Sequence, residues 1–216
     1  MKEIIFAGFG GQGVLTSGLL IAYMSANKDL AAVWMPAYGP TMRGGKANCV
    51  IKIGEDPQDS VGSPVMENAD AIVVMNEPSL DYLSFCKEDV VIFANSTAIP
   101  KDYKFPEKSK VFFIDFLGLA REVDNEKGQN VVAAGAVIKY FNLFDEQYAI
   151  DTLCQFFHPV FLHPVADIDP SGQCSFRQRC HICCKTAYVQ SGHFLIHQHL
   201  CHHILRCTHN LNIVSA

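Results

Sequence analysis

The sequence predicts an α/β fold in which helices cover both faces of a mainly parallel, mixed β-sheet, giving three layers in the order α/β/α. Three observations carry this prediction. Short apolar runs without polar alternation are typical of strands that are buried on both faces. Segments with the apolar spacing of amphipathic helices lie between these runs. The first apolar run ends in a cluster of glycines that leads directly into the first helical pattern, a connection typical of α/β folds.

Strands and helices alternate along most of the chain. Apolar runs predict strands at 3–7, 31–37, 47–53, 71–75, 90–94 and 111–114. Helical spacing predicts helices at 14–27, 77–85, 116–123, 129–143 and 145–157. Pro78 is compatible with the second helix because a proline in the first turn has no hydrogen bond to lose. Since two predicted strands follow each other directly around residues 38–46, we expect one antiparallel pair in the sheet.

The composition is that of a folded protein without nucleic-acid or membrane partners. Of the 216 residues, 49% are hydrophobic and 18% are charged, which supports a packed core. The formal net charge of −5 argues against nucleic-acid binding. No apolar run approaches the roughly 20 residues that span a bilayer, and the start of the chain lacks the pattern of a signal peptide. We therefore expect a cytoplasmic protein.

The composition changes sharply near residue 153, which predicts two parts. All nine histidines and seven of the nine cysteines follow this position. We therefore predict an α/β domain at 1–153 and an atypical Cys/His-rich tail at 154–216. Because the change falls inside a helical pattern and not in a linker, an out-of-frame C terminus is the favoured interpretation. A genuine metal-binding extension and a disordered or redox-active tail remain the alternatives.

One spacing in the tail fits a zinc site on paper. The pattern Cys-x2-Cys-x13-His-x3-Cys, beginning at Cys180, offers four potential ligands at plausible intervals. Residues 174–209 contain 13 Cys or His, however, and at this density such a spacing arises readily by chance. We therefore predict that the tail packs poorly from about residue 158 onward and binds no metal in a defined geometry.

A complete G-x-G-x-x-G pattern follows the first predicted strand, as Gly8-Phe9-Gly10-Gly11-Gln12-Gly13. Glycine permits positive φ angles, and its missing Cβ lets backbone N–H groups approach an anion at a helix N-terminus. A dinucleotide site also needs an acidic residue at the end of the second strand, and a P-loop needs a following Gly-Lys-Ser/Thr. Both are absent. A phosphate or diphosphate cradle of another kind is favoured, and a dinucleotide site or a simple tight turn remain alternatives.

A second glycine-containing loop follows the second predicted strand. It includes Tyr38, Arg43, Gly44 and Gly45. The guanidinium of Arg43 is a planar donor suited to phosphate or carboxylate, and the two glycines would let backbone approach the same ligand. Because the carboxyl ends of parallel strands meet at one edge of a sheet, this loop is expected beside the first one, where the two would line a shared crevice. The alternative is a surface turn with a solvated arginine.

Few other residues of the first part are candidates for a site. Asn76 and Asn95 follow the fourth and fifth predicted strands and could face the same crevice, although turn and capping roles are the commoner alternative. Residues 1–153 contain no histidine, so a Ser/His/Asp set is excluded there. Cys49 and Cys86 are interpreted as packing residues and not as nucleophiles. The first part therefore has predicted binding residues and no predicted catalytic residue.

Four motifs follow one another along the first part of the chain: Gly-Phe-Gly-Gly-Gln-Gly-Val at 8–14, Tyr-Gly-Pro-Thr-Met-Arg-Gly-Gly-Lys-Ala-Asn-Cys at 38–49, Gly-Ser-Pro at 62–64 and Met-Asn-Glu-Pro-Ser-Leu at 75–80. Together and in this order they resemble the gamma subunit of 2-oxoacid:ferredoxin oxidoreductases. The resemblance extends over roughly residues 1–153. The second and fourth motifs look more like the 2-oxoglutarate or 2-oxoisovalerate type than the pyruvate type. Thr41 departs from the family pattern, which has an acidic residue there.

The resemblance implies a role within a complex. In this family, alpha and beta subunits bind thiamine diphosphate and Mg²⁺, and a ferredoxin-like delta subunit or separate domains hold iron–sulfur clusters. The complex converts a 2-oxoacid, coenzyme A and oxidised ferredoxin into acyl-CoA, CO₂ and reduced ferredoxin. The gamma domain packs against the thiamine-binding subunits and helps to hold coenzyme A. Because residues 1–153 contain no predicted catalytic set, the isolated chain is expected to have no oxidoreductase activity.

Two other functions stay open on the residues alone. The first is a stand-alone nucleotide-binding or regulatory protein that uses the glycine loop. The second is a zinc-dependent interaction module that acts through the Cys/His-rich tail.

Overall fold

The computed structural model describes residues 1–39, 44–122 and 124–157. The strands are β1 (Lys2–Phe9), β2 (Ala32–Tyr38), β3 (Lys46–Ile53), β4 (Ala69–Val74), β5 (Cys86–Asn95) and β6 (Lys110–Ile114). The α-helices are α1 (Val14–Ala26), α2 (Phe116–Arg121), α3 (Gln129–Phe141) and α4 (Glu146–Phe157). Two 3₁₀ segments span Glu77–Phe85 and Glu126–Gly128.

The six strands form one mixed sheet in the order β2-β3-β1-β4-β5-β6. Strand β3 runs antiparallel to both of its neighbours, and the pairs β1–β4, β4–β5 and β5–β6 are parallel. The expected antiparallel pairing of β2 with β3 is present, and β3 is also antiparallel to β1. Strand β2 therefore runs in the same direction as β1, so that both strands end at the same edge of the sheet.

The α-helices pack on one face of the sheet. Ile4 and Phe6 of β1 point into a buried cluster to which all four α-helices contribute. Helix α3 is the most buried of them, with every residue from 130 to 138 buried. Its small residues at 133–136 let it pack closely against α1 and α2.

The opposite face is covered by a thinner layer. There, Ile5 and Ala7 pack with Leu80 of the longer 3₁₀ segment and with Ile99 from the loop after β5. The α/β class with a mainly parallel, mixed sheet is thus confirmed.

The predicted helix at 77–85 is instead a 3₁₀ segment. The reason is visible in its apolar spacing, because Leu80 and Leu83 are three residues apart and both contact the sheet. In a 3₁₀ helix, residues i and i+3 lie directly above one another, which places both leucines on the sheet side. Pro78 occupies the start of the segment, as expected.

The C-terminal part of the chain is described only to Phe157, where α4 ends. The predictions made for the Cys/His-rich tail concern residues that, from 158 onward, lie outside the described residues. Within the described ranges, no helix is long and apolar enough to cross a membrane. In the same ranges, no group of three or more His, Cys, Asp or Glu is arranged to hold a metal ion.

Candidate functional site

The glycine loop turns the chain from β1 into α1. Gly11 has φ = 101° and Gly13 has φ = 76°, so both lie in the region that side chains with a Cβ rarely adopt. Gly13 is the N-cap residue of α1. The positive φ angles expected from the sequence are therefore present at these two glycines.

The two predicted loops lie side by side at one edge of the sheet. The backbone N–H of Gly10 donates to the carbonyl of Gly45 at 2.9 Å, and the N–H of Gly44 donates to the carbonyl of Gly10 at 3.3 Å. Strand register agrees, because β3 links Tyr38 at the end of β2 to Gly8 at the end of β1. The predicted proximity is confirmed for the described part of the second loop, whereas Arg43 and residues 40–42 lie outside it.

Gln12 holds the glycine loop against the end of β4. Its side-chain Oε1 accepts hydrogen bonds from the backbone N–H of Phe9 at 2.6 Å and from Asn76 Nδ2 at 3.0 Å. Asn76 also caps the 3₁₀ segment, because its Oδ1 accepts from the backbone N–H of Ser79 at 3.2 Å. Asn76 thus takes the capping role named as the alternative, and it reaches the glycine loop only through Gln12.

Asn95 and Gly8 make internal contacts. Asn95 Nδ2 donates to the carbonyl of Met75 at 3.1 Å, and its Oδ1 accepts from Thr97, which is the geometry of a turn. At Gly8 an added Cβ would lie 2.7 Å from Gln12 Oε1 and 3.0 Å from Met75 Cβ. Both residues therefore contribute to the packing beneath the loop.

A cleft of about 430 Å³ opens beside the glycine loop, on the side of α3. Its lining residues are Gly11, Gln12, Gly13, Leu117, Glu126, Lys127, Gln129 and Asn130. The last five were not among the residues predicted from the sequence. The one local signal for these five residues is Gly128, which directly precedes the predicted helix at 129–143, as Gly13 precedes the predicted helix at 14–27.

Two helix N-termini meet at this cleft. Gly13 is the N-cap of α1 and Gly128 is the N-cap of α3, and neither helix is capped by a side chain. Neither helix has an acidic residue in its first turn. The first-turn N–H groups of a helix lack intrahelical partners, and the helix dipole makes that end positive.

Contacts between α1 and α3 hold the walls of the cleft at a fixed spacing. The buried hydroxyl of Ser17 donates to the backbone carbonyl of Asn130 at 2.8 Å. A Cβ at Gly13 would lie 2.8 Å from the side chain of Asn130, so α3 approaches the loop as closely as a glycine allows. Ser17 and Asn130 are 113 positions apart in sequence, which explains why no local pattern predicted this contact.

Cys49 and Cys86 are poor nucleophiles. Burial raises the pKa of the Cys49 thiol to about 12, and Cys49 Sγ lies 3.3 Å from the carbonyl of Val14. Burial, reinforced by the nearby carboxylate of Glu3, raises the pKa of the Cys86 thiol to about 12. Because the thiolate is the reactive form, both cysteines act as packing residues at neutral pH.

Residues 3–160 match the protein family described as pyruvate ferredoxin/flavodoxin oxidoreductase. This chain belongs to that family. The resemblance predicted from the four motifs is therefore confirmed.

Two relatives indicate the range of the family. The chain is 34% identical over 138 residues to the ketoisovalerate oxidoreductase subunit VorA of Methanothermobacter marburgensis, covering 63% of this chain and 28% of that protein. It is 30% identical over 152 residues to the 2-oxoglutarate synthase subunit KorC of Methanocaldococcus jannaschii, covering 68% of this chain and 78% of that protein. The chain thus spans less than a third of VorA and most of KorC.

Solved structures share the fold. The gamma subunit of a keto/oxoacid ferredoxin oxidoreductase from Geobacter sulfurreducens superposes with a TM-score of 0.65 at 19% identity, covering 96% of this chain and 98% of that one. The 2-oxoglutarate:ferredoxin oxidoreductase from Magnetococcus marinus, solved with 2-oxoglutarate, coenzyme A and succinyl-CoA bound, gives 0.70 at 16% identity, covering 99% of this chain and 32% of that one.

Proposed function

We propose that this chain is the gamma-type subunit of a thiamine-diphosphate-dependent 2-oxoacid:ferredoxin oxidoreductase, in which it helps to hold coenzyme A and to assemble the complex. Its membership of the oxidoreductase family over residues 3–160 is the observation that carries this proposal. The two glycine loops are hydrogen-bonded to each other at one edge of the sheet, which supports a binding role.

The described residues suit a phosphorylated ligand. A diphosphate such as that of coenzyme A is recognised by backbone N–H groups of glycine loops and helix N-termini. Glycine-loop backbone lies at the edge of the sheet where Gly10 and Gly45 are hydrogen-bonded to each other. The adjacent cleft provides space for a ligand beside it. Arg43 is proposed as a charged donor to the same ligand, or as a contact to a partner subunit.

Thiamine diphosphate, Mg²⁺ and iron–sulfur clusters are proposed to lie in partner subunits. In the described ranges, no group of three or more His, Cys, Asp or Glu is arranged to hold a metal ion. When bound in its own subunit, thiamine diphosphate supplies the carbanion chemistry of 2-oxoacid decarboxylation. This chain contributes binding and positioning of the acyl acceptor.

The proposed partners are alpha and beta thiamine-binding subunits, a ferredoxin-like delta subunit and ferredoxin, in the cytoplasm. Two relatives are named as subunits of a ketoisovalerate oxidoreductase and of a 2-oxoglutarate synthase, which supports a substrate of the 2-oxoglutarate or 2-oxoisovalerate class. A zinc-dependent module would act through residues 158–216, which lie outside the described residues. No described contact favours a stand-alone regulatory protein.

Co-expression of the full-length chain with alpha, beta and delta subunits tests this function. We expect ferredoxin reduction that requires a 2-oxoacid and coenzyme A, and no activity from the chain alone. The control is the same complex prepared without this chain, which should lose activity or show a higher KM for coenzyme A. Equal turnover and equal KM with and without the chain would overturn the proposal.

A further inference from the structure

We propose that the 3₁₀ segment Glu77–Phe85 positions the second glycine loop, residues 39–45, and that Tyr82 and Asp81 are its positioning residues. The fourth sequence motif, at 75–80, overlaps the start of this segment, so the proposal also gives that motif a function. The part of the proposal that concerns coenzyme A rests on the proposed function, whereas the positioning of the loop does not.

The second glycine loop needs support from outside its own hairpin. Strand β2 ends at Tyr38 and β3 begins at Lys46, so the seven residues 39–45 connect them, whereas hairpin loops usually have about two to five. One backbone bond closes the base of the loop, from the N–H of Gly39 to the carbonyl of Lys46 at 2.7 Å. Because conformational entropy opposes a fixed position for so long a loop, contacts from other elements decide where Gly44 and Gly45 lie.

Two side chains of the 3₁₀ segment contact the start of β3, next to this loop. Asn48 Nδ2 donates a hydrogen bond to Tyr82 Oη at 2.7 Å. The carboxylate of Asp81 forms an ion pair with Lys46 Nζ. Lys46 follows Gly45 directly in the chain, so both contacts lie within three residues of the loop.

The bond between Asn48 and Tyr82 is the stronger of these two links. Asn48 is only 6% exposed, and its Oδ1 is buried without a hydrogen-bond partner in the described part of the chain. Without Tyr82 the whole side-chain amide would be unpaired and away from water, which is costly. The ion pair of Lys46 with Asp81 is exposed on both sides, and such pairs contribute little.

The 3₁₀ segment is itself anchored on the sheet. Asn76 Oδ1 accepts from the backbone N–H of Ser79 at 3.2 Å and from its hydroxyl at 2.8 Å, and Leu80 packs into the core of this face. Asn76 Nδ2 also donates to Gln12 of the first glycine loop at 3.0 Å. One anchored element therefore contacts the first glycine loop at its start and the second through Asp81 and Tyr82, which fixes the spacing of the two loops.

A second loop that is ordered in advance favours ligand binding. If Gly44 and Gly45 present backbone to coenzyme A, any freedom that the loop has in the free protein must be lost when the coenzyme binds. The contacts of the 3₁₀ segment remove part of that freedom beforehand. Tyr82 thus acts through Asn48 and the loop, without a contact of its own to the coenzyme.

Tyr82→Phe tests the positioning role, with Tyr148→Phe as its matched control. Each substitution removes one part-buried hydroxyl and one hydrogen bond, since Tyr148 Oη donates to the carbonyl of Met24 at 2.6 Å. Tyr148 belongs to α4, which packs on the other face of the sheet. Hydrogen exchange of the full-length chain, followed by mass spectrometry, should be roughly three- to tenfold faster in Tyr82→Phe for peptides that contain Gly10 or Gly44. In Tyr148→Phe these peptides should exchange as in the wild-type chain.

The assembled complex tests the consequence for coenzyme A. Tyr82→Phe should raise the KM for coenzyme A roughly three- to tenfold with little change in kcat, because the substitution affects the ordering of the loop and not the chemistry. Asp81→Asn should raise this KM by a smaller factor, since the ion pair with Lys46 is exposed. Tyr148→Phe should leave it unchanged.

Each outcome decides a separate point. Unchanged exchange in Tyr82→Phe overturns the positioning role, and so does equal acceleration in both tyrosine variants, because a general loss of stability affects the two alike. Faster exchange with an unchanged KM for coenzyme A retains the positioning of the loop and overturns its service to that coenzyme. If the wild-type complex shows no turnover that depends on coenzyme A, the proposed function fails, and the exchange measurement still decides the positioning role.

Discussion

Gly13 lies where the glycine loop, α1 and α3 meet. Its φ of 76° is strained for any residue with a side chain, and an added Cβ would lie 2.8 Å from Asn130. Gly13→Ala therefore combines backbone strain with a collision between two packed elements. We expect the free energy of unfolding to fall by about 2–4 kcal/mol, measured by urea denaturation.

Gly11→Ala is the control for this substitution. Gly11 also has a positive φ, but no atom lies within 4 Å of the position that its Cβ would take. Only the backbone strain remains, so the loss should be about 1–2 kcal/mol. Equal losses for the two variants would contradict the close approach of α3 to the loop.

Arg43 carries a prediction that comes from the sequence alone. If its guanidinium clamps a phosphate of coenzyme A, Arg43→Ala should raise the dissociation constant of coenzyme A in the assembled complex by roughly 10- to 150-fold. Arg43→Lys should recover only part of the affinity, because an ammonium cannot replace the planar fork. Measurement of the KM for coenzyme A beside the assembled fraction separates this role from a contact with a partner subunit. Normal values of both would return Arg43 to a solvated turn.

At the scale of elements, the cleft depends on how α1 meets α3. Ser17 and Ser25 are both buried in α1, but their hydroxyl groups have different partners. Ser17 donates to Asn130 of α3 at 2.8 Å, and Ser25 donates to Ile21 within its own helix at 2.9 Å. Only Ser17 therefore links the two helices.

We expect Ser17→Ala to lower the free energy of unfolding by about 1–2 kcal/mol, because the buried carbonyl of Asn130 loses its side-chain donor. Ser25→Ala should have a smaller effect, since the Ser25 hydroxyl bonds within its own helix, so that no contact between helices is lost, and alanine favours helices. Denaturation curves of the two variants provide the comparison. Equal losses of stability in the two variants would contradict the role of Ser17 as a link between α1 and α3.

At the scale of the whole molecule, the sheet separates the candidate site from a buried ion pair at its other edge. Lys52 Nζ of β3 lies 3.3 Å from the carboxylate of Glu3 in β1, and both side chains are almost inaccessible, at 7% and 6% exposure. Glu3 also accepts from the backbone N–H of Glu67 at 3.0 Å. This network joins β1 and β3 to the segment that leads into β4.

Removal of one partner of this pair should cost far more than removal of both. Lys52→Met leaves the Glu3 carboxylate buried without its cation, so we expect a loss of about 3–5 kcal/mol in the free energy of unfolding. The double variant Glu3→Gln/Lys52→Met should recover most of this loss. Fluorescence of Trp34, the one tryptophan of the chain, can follow unfolding in urea. A double variant as unstable as the single one would contradict the expected cost of the unpaired charge.

The sequence by itself determined the strands, the glycine turn and the family. Apolar runs, the demand for positive φ at Gly11 and Gly13 and the four motifs are local properties, because they depend on residues that are close together in the chain. Local spacing was less decisive at 77–85, where leucines three residues apart suit a 3₁₀ segment as well as an α-helix.

Tertiary structure alone decided the composition of the cleft. Residues 126–130 reach the glycine loop only because α3 packs along α1, through the bond between Ser17 and Asn130. That contact depends on the hydroxyl of Ser17 in α1 and on the missing side chain of Gly13 in the glycine loop. No periodic pattern in the sequence reveals it. The same holds for Asn76 and Asn95. The amide of Asn76 donates to the side chain of Gln12, and the amide of Asn95 donates to the backbone carbonyl of Met75. Side-chain hydrogen bonds between distant segments are determined by packing, and packing is a property of the folded chain as a whole.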